Sequence, residues 1–164
     1  VEQPEAVGAD RIVDALAAVR RYPCPLIVID LGTATTLSVV DAQSRFIGGT
    51  ISPGLQTAAN ALHQAAAQLP ALDMPSLTRQ AGSLPPDLPV IGANTAACIR
   101  SGIIQGTAAM LDGLTDRIEE QLGQPVSRVI TGGFAVLVLP HCRRKMAHEP
   151  NLLLEGLYEI AAGG

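Results

Sequence analysis

Aromatic residues are scarce in this chain, which has two tyrosines, two phenylalanines and no tryptophan among 164 residues. Proteins that grip single-stranded nucleic acid usually stack its bases on aromatic side chains along a basic groove. Basic residues are also outnumbered, 11 against 15 acidic residues, which gives a net charge of -4. A negative net charge disfavours binding to a phosphate backbone. We therefore expect no nucleic acid partner, and small molecules or other proteins remain.

Cysteines and long apolar runs are scarce as well. The three cysteines, Cys24, Cys98 and Cys142, are odd in number and lack paired short spacing, which argues against a secreted disulfide framework and a zinc site. The three histidines also lack metal-ligand spacing. No apolar run approaches the roughly 20 residues of a membrane span, and the first residues do not resemble a signal peptide. These absences predict a cytoplasmic protein with no membrane partner.

Small and apolar residues are abundant instead, with 48% hydrophobic residues, 16 glycines and 12 prolines. This composition and length are typical of one alanine-rich α/β domain. Apolar spacing predicts helices over residues 9–21 and 55–69. Between these helices, β-rich segments at 25–30, 36–41 and 45–52 predict an antiparallel three-strand meander.

The second half of the chain is predicted to alternate helices and strands. Residues 70–89 contain five prolines and are predicted as an irregular surface loop. Asn94 is a plausible N-cap for a long helix that ends at Gly123, and Gly102 and Gly106 on it would let another backbone approach closely. A strand at 126–130, a short helix at 135–139, a strand at 144–147 and a final helix at 152–161 follow. The order predicts a mixed sheet covered by helices.

Two turns carry candidate chemistry. Asp30 ends a buried strand and precedes "GTATT", whose glycine permits a tight turn and whose threonines add hydroxyl groups. Such a turn can cradle phosphate while the carboxylate holds a cation, although Asp30 could equally cap a structural turn. The second turn, "TGG" at 131–133, could admit a nucleotide against bare backbone, although by itself it is more often an ordinary turn between strand and helix.

The pairing of these two turns, one before a β-meander and one after a later strand, resembles the actin, sugar-kinase and Hsp70-type ATPase fold, also called ribonuclease H-like. Seven ordered motifs make the resemblance more specific: "GADR", "DLGTATT", "GGTISPG", "GANT", "SGI", "TGG" and "LEGL". Together they resemble the type III pantothenate kinases, a family that includes the Bvg accessory factor-like proteins. This family phosphorylates pantothenate with ATP to give 4'-phosphopantothenate, the first step of coenzyme A synthesis.

The resemblance implies a role for each matching residue. Asp10 corresponds to the general base toward the pantothenate hydroxyl, with Gly8 and Arg11 as substrate-positioning neighbours. Thr95 corresponds to a residue that reaches pantothenate across a dimer interface. The residues implied in ATP binding are Thr33, Thr35, Gly132 and Gly133. Asp30 corresponds to the ligand of a monovalent cation, K+ or NH4+, and Mg2+ would accompany ATP.

The chain departs from the family in two places. Members begin with another half that carries a first phosphate loop, and no such motif precedes Gly8. We therefore expect residues 1–24 to hold the last helix of a first domain, residues 25–164 to form the second domain, and the isolated chain to have little kinase activity. Asp14 stands where the family often has asparagine.

Other functions fit the same features. A sugar or acetate kinase of the same fold is disfavoured because "GADR" and "GANT" have the spacing of the pantothenate enzymes. A non-catalytic regulatory or interaction module that has lost a phosphate loop is an alternative from a different class. The kinase hypothesis also includes a homodimer formed through the helix at 94–122.

Overall fold

A five-stranded mixed sheet forms the centre of the molecule. The computed structural model describes residues 7–66, 68–80 and 88–162. The strands are β1 (Leu26–Leu31), β2 (Ala34–Val40), β3 (Phe46–Pro53), β4 (Ser127–Thr131) and β5 (Ala147–His148). Their spatial order is β3-β2-β1-β4-β5. The first three strands pair antiparallel, whereas β4 runs parallel to β1 and β5 runs parallel to β4. The predicted meander and mixed sheet are confirmed.

Helices cover both faces of this sheet. They are α1 (Ala9–Val19), α2 (Leu55–Ala65), α3 (Met74–Arg79), α4 (Thr95–Leu122), α5 (Ala135–Val138) and α6 (Leu152–Ala162), and a 3-10 turn at Leu139–His141 follows α5. Helices α1 and α6 share a core with one face of the sheet, and α2, α4 and α5 share a larger core with the other. The observed boundaries differ from the predicted ones by a few residues at most elements.

The alternation of side chains along β1 decides which helices each residue meets. Ile27, Ile29 and Leu31 belong to the core under α2 and α4, whereas Leu26 and Val28 belong to the core under α1. Because side chains alternate along a strand, Asp30 is on the same face as Leu26 and Val28. The carboxylate of Asp30 therefore lies on the side of the sheet that α1 covers.

The ends of α4 follow the sequence prediction. The side chain of Asn94 accepts a hydrogen bond from the backbone N–H of Ala97 at 2.9 Å, which makes Asn94 the N-cap. At the other end Gly123 adopts a left-handed conformation with φ 68°, which a glycine adopts without strain. Two cap residues that the sequence alone identified thus define a helix of 28 residues.

The prediction of an irregular loop over residues 70–89 is wrong in part, because α3 forms within it. Asp73 caps this helix by accepting from the Ser76 N–H at 3.2 Å, and a proline occupies its first turn, where proline is tolerated. Met74 is fully buried and anchors the helix to the core. Residues 81–87 of the predicted loop lie outside the described residues.

Gly102 and Gly106 of α4 face open space. A Cβ atom added at Gly102 or Gly106 would meet nothing within 4 Å in the described part of the chain, so no backbone of this chain approaches them there.

Across the described ranges, no helix combines the length and apolar character required to cross a membrane.

Replacing Asn94 with alanine should destabilise the fold by about 1 kcal/mol, because the Ala97 N–H loses its side-chain acceptor. Urea unfolding followed by circular dichroism measures this free energy. Asn94→Ser is the matched control, since serine keeps a capping oxygen and should cost far less. Equal stability of the two variants would contradict a capping role for Asn94.

Candidate functional site

The site is built around the end of β1, where Asp30 lies beside the turn that follows β4. Asp30 pairs with Thr36 of β2 and with Thr131 of β4. Gly132 follows at φ 92°, and a Cβ atom there would lie 2.4 Å from Oδ1 of Asp30. Any other residue would have to displace the carboxylate or the backbone, so glycine is required for this close approach.

A cavity of about 430 Å³ opens at this edge, between the start of α1, the turn after β4 and the start of α6. Three carboxylates line it, those of Asp10, Asp14 and Asp30. Its remaining walls are Thr78, Thr131, Gly132, Gly133, Val136, His148, Pro150, Asn151, Leu153 and Leu154. The cavity thus brings together four predicted site residues that lie far apart along the chain: Asp10, Asp30, Gly132 and Gly133.

The two carboxylates of α1 differ in their surroundings. Asp10 is exposed in the first turn, and its Oδ1 accepts a hydrogen bond from the Arg11 N–H at 2.8 Å. Asp14 lies one helical turn later, is 4% exposed, and its Oδ1 has no hydrogen-bond partner. Burial, followed by the charges of Asp30 and Asp10, raises the pKa of Asp14 to about 7. Burial and the charge of Asp10 also raise the pKa of Asp30 above its ordinary value.

The carboxylate oxygens that line the cavity are suited to bind a cation. Neither lysine nor arginine is among the described residues that line the cavity, so no permanently charged cationic side chain offsets its carboxylates there. An orphaned, buried Asp14 oxygen adds to this imbalance. However, within the described ranges no group of three or more His, Cys, Asp or Glu side chains is arranged to hold a metal ion. A cation near Asp30 would therefore need backbone, water or ligand oxygens as well.

The threonines of the turn after β1 lie in different environments. Thr33 is exposed, and its carbonyl accepts hydrogen bonds from the Gly54 N–H at 3.1 Å and the Thr57 hydroxyl at 2.9 Å. Thr35 is fully buried and its hydroxyl has no partner. Thr35 pairs with Leu31, so it faces the core under α2 and α4, on the side of the sheet opposite Asp30.

The predicted pantothenate residues do not share one location. Gly8 precedes α1, and a Cβ atom there would lie 2.6 Å from Oδ1 of Asp10. Arg11 points to the sheet, where its Nε donates to the Ser38 hydroxyl at 3.0 Å and its guanidinium lies 5.4 Å from the centre of the Phe46 ring. Neither Arg11 nor Thr95, the exposed first residue of α4, is among the residues that line this cavity.

Sequence reasoning missed several residues of the cavity. Asp14 follows Asp10 by four residues and sits among buried Val13 and Ala17, so helical periodicity alone predicts that it faces inward beside Asp10. His148 and Asn151 carry no such signal, since they reach the cavity only because β5 pairs with β4.

Asp14→Asn should change how stability depends on pH. In the folded chain Asp14 has a pKa of about 7, against 3.8 as its ordinary value. The folded state therefore holds this proton more tightly, and stability falls as pH rises from about 4 to 7. Asparagine cannot ionise, so the variant should gain on the order of 2–4 kcal/mol relative to the parent between pH 4 and pH 8.

Urea unfolding at a series of pH values measures this difference. Glu120→Gln is the control, because Glu120 is exposed and the parent and this variant should show parallel pH profiles. A constant difference between Asp14→Asn and the parent across the range would contradict the raised pKa.

Comparison with known proteins identifies the family. A family model described as type III pantothenate kinase matches residues 1–117. The curated type III pantothenate kinase of Acidiphilium cryptum is 43% identical over 161 residues, which is 98% of this chain and 57% of that protein. That of Paramagnetospirillum magneticum is 44% identical over 160 residues, which is 98% of this chain and 58% of that protein. The chain thus spans less than two thirds of the length of these relatives.

A solved structure shares the fold. It comes from Campylobacter jejuni, is described as a conserved protein of the Baf family of transcriptional activators, and is 17% identical in sequence. Its TM-score is 0.66 over 98% of this chain and 66% of that chain. Since the family model covers more than half of the residues, the chain belongs to the type III pantothenate kinase family.

Proposed function

We propose that this chain forms part of a pantothenate kinase that transfers the terminal phosphoryl group of ATP to pantothenate, giving 4'-phosphopantothenate and ADP in coenzyme A synthesis. The observation that carries this proposal is the cavity in which Asp10, Asp30 and the Gly132–Gly133 turn meet. Phosphoryl transfer depends mainly on positioning and on stabilising charge. A cavity that combines the exposed carboxylate of Asp10 with the backbone of two adjacent glycines suits both needs.

In this mechanism Asp10 accepts the proton of the attacking alcohol. The alcohol oxygen forms a bond to the γ-phosphorus while the bond from that phosphorus to the ADP oxygen breaks, and ADP leaves with the electron pair. Asp10 suits this task because it is exposed at the cavity mouth and one of its oxygens is fixed by the Arg11 N–H at 2.8 Å. Gly8 supports it, since a larger residue there would crowd the same oxygen.

ATP would lie along the turns after β1 and β4, with Thr33, Thr35, Gly132 and Gly133 as its contacts. Because Thr35 is buried on the opposite face, we expect its part to be support of the turn. Asp30 would hold a monovalent cation, K+ or NH4+, and Mg2+ would travel with ATP. These cations supply positive charge that the cavity wall lacks.

Pantothenate would be positioned by Gly8, Arg11 and Thr95. Thr95 lies outside the cavity that Asp10 lines, so its role requires a second copy of the chain. Arg11 is anchored by Ser38 and Phe46, and one guanidinium nitrogen, Nη2, is buried without a hydrogen-bond partner. We therefore expect Arg11 to hold the start of α1, and hence Asp10, in place.

The same proposal includes the fold class, domain division and location. We assign the mixed sheet to the actin-like, or ribonuclease H-like, ATPase class, which its order and the two glycine turns support. Residues 1–24 would be the end of a first domain and residues 25–164 a second domain, in a cytoplasmic enzyme.

A homodimer is supported by an open groove on α4. The groove has a volume of about 500 Å³ and runs between α4 and α2. Gly102 and Gly106 lie in it, both exposed and with open space where a Cβ would be. The distance between packed helices depends on the side chains at their contact, so two glycines one turn apart would allow a close crossing of two copies.

Asp10→Asn should lower kcat by about 100- to 10,000-fold, because the attacking alcohol loses its proton acceptor. The test uses a fusion that joins this chain to the region of the Acidiphilium cryptum relative that has no counterpart here, in the order of that relative. ADP release that depends on pantothenate is followed with a coupled enzyme assay.

Asp116→Asn is the matched control for this assay. Asp116 is on α4, on the other side of the sheet, where it pairs with Arg144 at 2.6 Å, so its loss should leave kcat nearly unchanged. A folded fusion that releases no ADP would contradict the kinase proposal in favour of a non-catalytic module. Full activity of Asp10→Asn would contradict the role of Asp10.

Gly106→Gln should weaken self-association at least tenfold, because the new side chain fills the groove where the second copy would cross. Sedimentation velocity over a range of concentrations measures this. Gly113→Gln is the control, since Gly113 is also open but lines a different cavity, and either change raises helix propensity. A parent chain that stays monomeric at high concentration would overturn the dimer proposal.

A further inference from the structure

Helix α6 has the composition of a buried helix, yet most of it is exposed. Its sequence, LLLEGLYEIAA, has apolar residues on all sides and two glutamates. A helix that is apolar all round is normally covered on all sides. Of its residues, only Leu152 and Gly156 are buried. Most of the apolar surface of α6 therefore faces away from the sheet.

The neighbouring helix α1 extends this exposed surface. Helices α1 and α6 pack side by side, with a Cβ at Gly156 placed 2.7 Å from Val13 and 3.2 Å from the Cβ of Ala17. Outside this contact lie seven exposed large side chains, which we call the α1–α6 face: Ile12, Leu16, Leu153, Leu154, Leu157, Tyr158 and Ile160. Their spacings of three and four residues place them along contiguous helical stripes, whereas monomers usually expose apolar residues singly or in small patches.

Ion pairs at the far end of α1 hold the two helices in register. Arg20 pairs with Glu159 at 2.6 Å, and Arg21 pairs with Glu155. Both glutamates of α6 are thus ion-paired within the chain. The α1–α6 face is therefore a preformed apolar surface, and its exposure does not come from a loosely attached helix.

The length of the relatives indicates what covers this surface. The chain aligns over 98% of its own residues with the Acidiphilium cryptum and Paramagnetospirillum magneticum proteins, but spans 57% and 58% of their lengths. About two fifths of each relative therefore has no counterpart here and must pack against something. A second copy has a different open surface available, the groove with Gly102 and Gly106 on the other side of the sheet.

We propose that the α1–α6 face is the docking surface for the region of the relatives that has no counterpart in this chain. The position of the face, next to the cavity, supports docking of this region there. Leu153 and Leu154 belong to the face and also line the cavity that holds Asp10 and Asp14. A segment seated on the face would cover the cavity mouth and exclude water from it. The proposal concerns packing and does not depend on the catalytic role of any residue.

Hydroxyl-radical footprinting with mass spectrometry tests this proposal on two proteins, the chain alone and the fusion described above. Oxidation of Leu157 and Tyr158 should be rapid in the chain alone and about tenfold slower in the fusion. Ile47 is the matched control, because it is 43% exposed against 48% for Leu157 and lines a cavity with the end of α4 on the opposite face. Equal oxidation of Leu157 in both proteins would overturn the proposal, whether or not the fusion is active.

A pair of variants gives a second measurement. Leu157→Asp should leave the unfolding midpoint of the chain alone nearly unchanged and lower that of the fusion, whereas Ile47→Asp should shift both equally. Sedimentation supplies the competing outcome: a dimer of the chain alone that Leu157→Asp dissociates would assign the face to a second copy and overturn the proposal.

The intact Acidiphilium cryptum relative provides a test that does not require the fusion to fold. Hydrogen exchange in its helix aligned with α6 should be slower than in α6 of this chain, because the helix is covered there. Equal exchange rates in the two helices would contradict the docking surface.

Discussion

The close approach of Gly132 to Asp30 is the constraint on which the site depends. Asp30 is the penultimate residue of a strand whose other residues are buried, and its carboxylate has room only because the residue after β4 has no side chain and adopts φ 92°. The parallel pairing of β1 with β4 fixes this contact, since it aligns Asp30 with Thr131. A register shift of one residue would move Asp30 to the opposite face of the sheet, away from α1.

Because side chains alternate along each strand, the two faces of the sheet carry different sets of residues. The face under α1 and α6 carries the carboxylates, and the face under α2 and α4 carries the larger core. The separation explains why two neighbouring residues of one motif, Thr35 and Thr36, have different surroundings. It also places the cavity with Asp10 and the glycine groove of α4 on opposite sides, so a dimer formed through α4 and a segment docked on α1 and α6 would not compete.

Local signals in the sequence predicted most of the fold. The meander followed from alternating apolar residues and short turns, and α4 followed from Asn94 and Gly123, since capping depends on a few adjacent residues. The prolines of residues 70–89 predict a loop and so hide α3, whereas Asp73 followed by a proline in the first turn is a helix start. Of the cavity, Asp10, Asp30 and the glycine turn were predicted, and helical spacing from Asp10 also indicates Asp14. His148 and Asn151 depend on how β5 pairs with β4, which no local pattern encodes.

Under the proposed function, the charge of the cavity explains why this chain would need other components to bind ATP. Three carboxylates line it, and neither lysine nor arginine is found among the described lining residues. Arg11, the basic residue nearest in sequence to Asp10, is turned toward Ser38 and Phe46 on the sheet. A triphosphate entering such a cavity would meet uncompensated negative charge at low dielectric, where repulsion is stronger than in water. Positive charge must then come from cations bound with the nucleotide, from a segment docked across the cavity mouth, or from both. The three carboxylates therefore make the cavity a poor anion site by itself, and under the docking proposal the exposed apolar face beside it is where a further layer of protein would complete it.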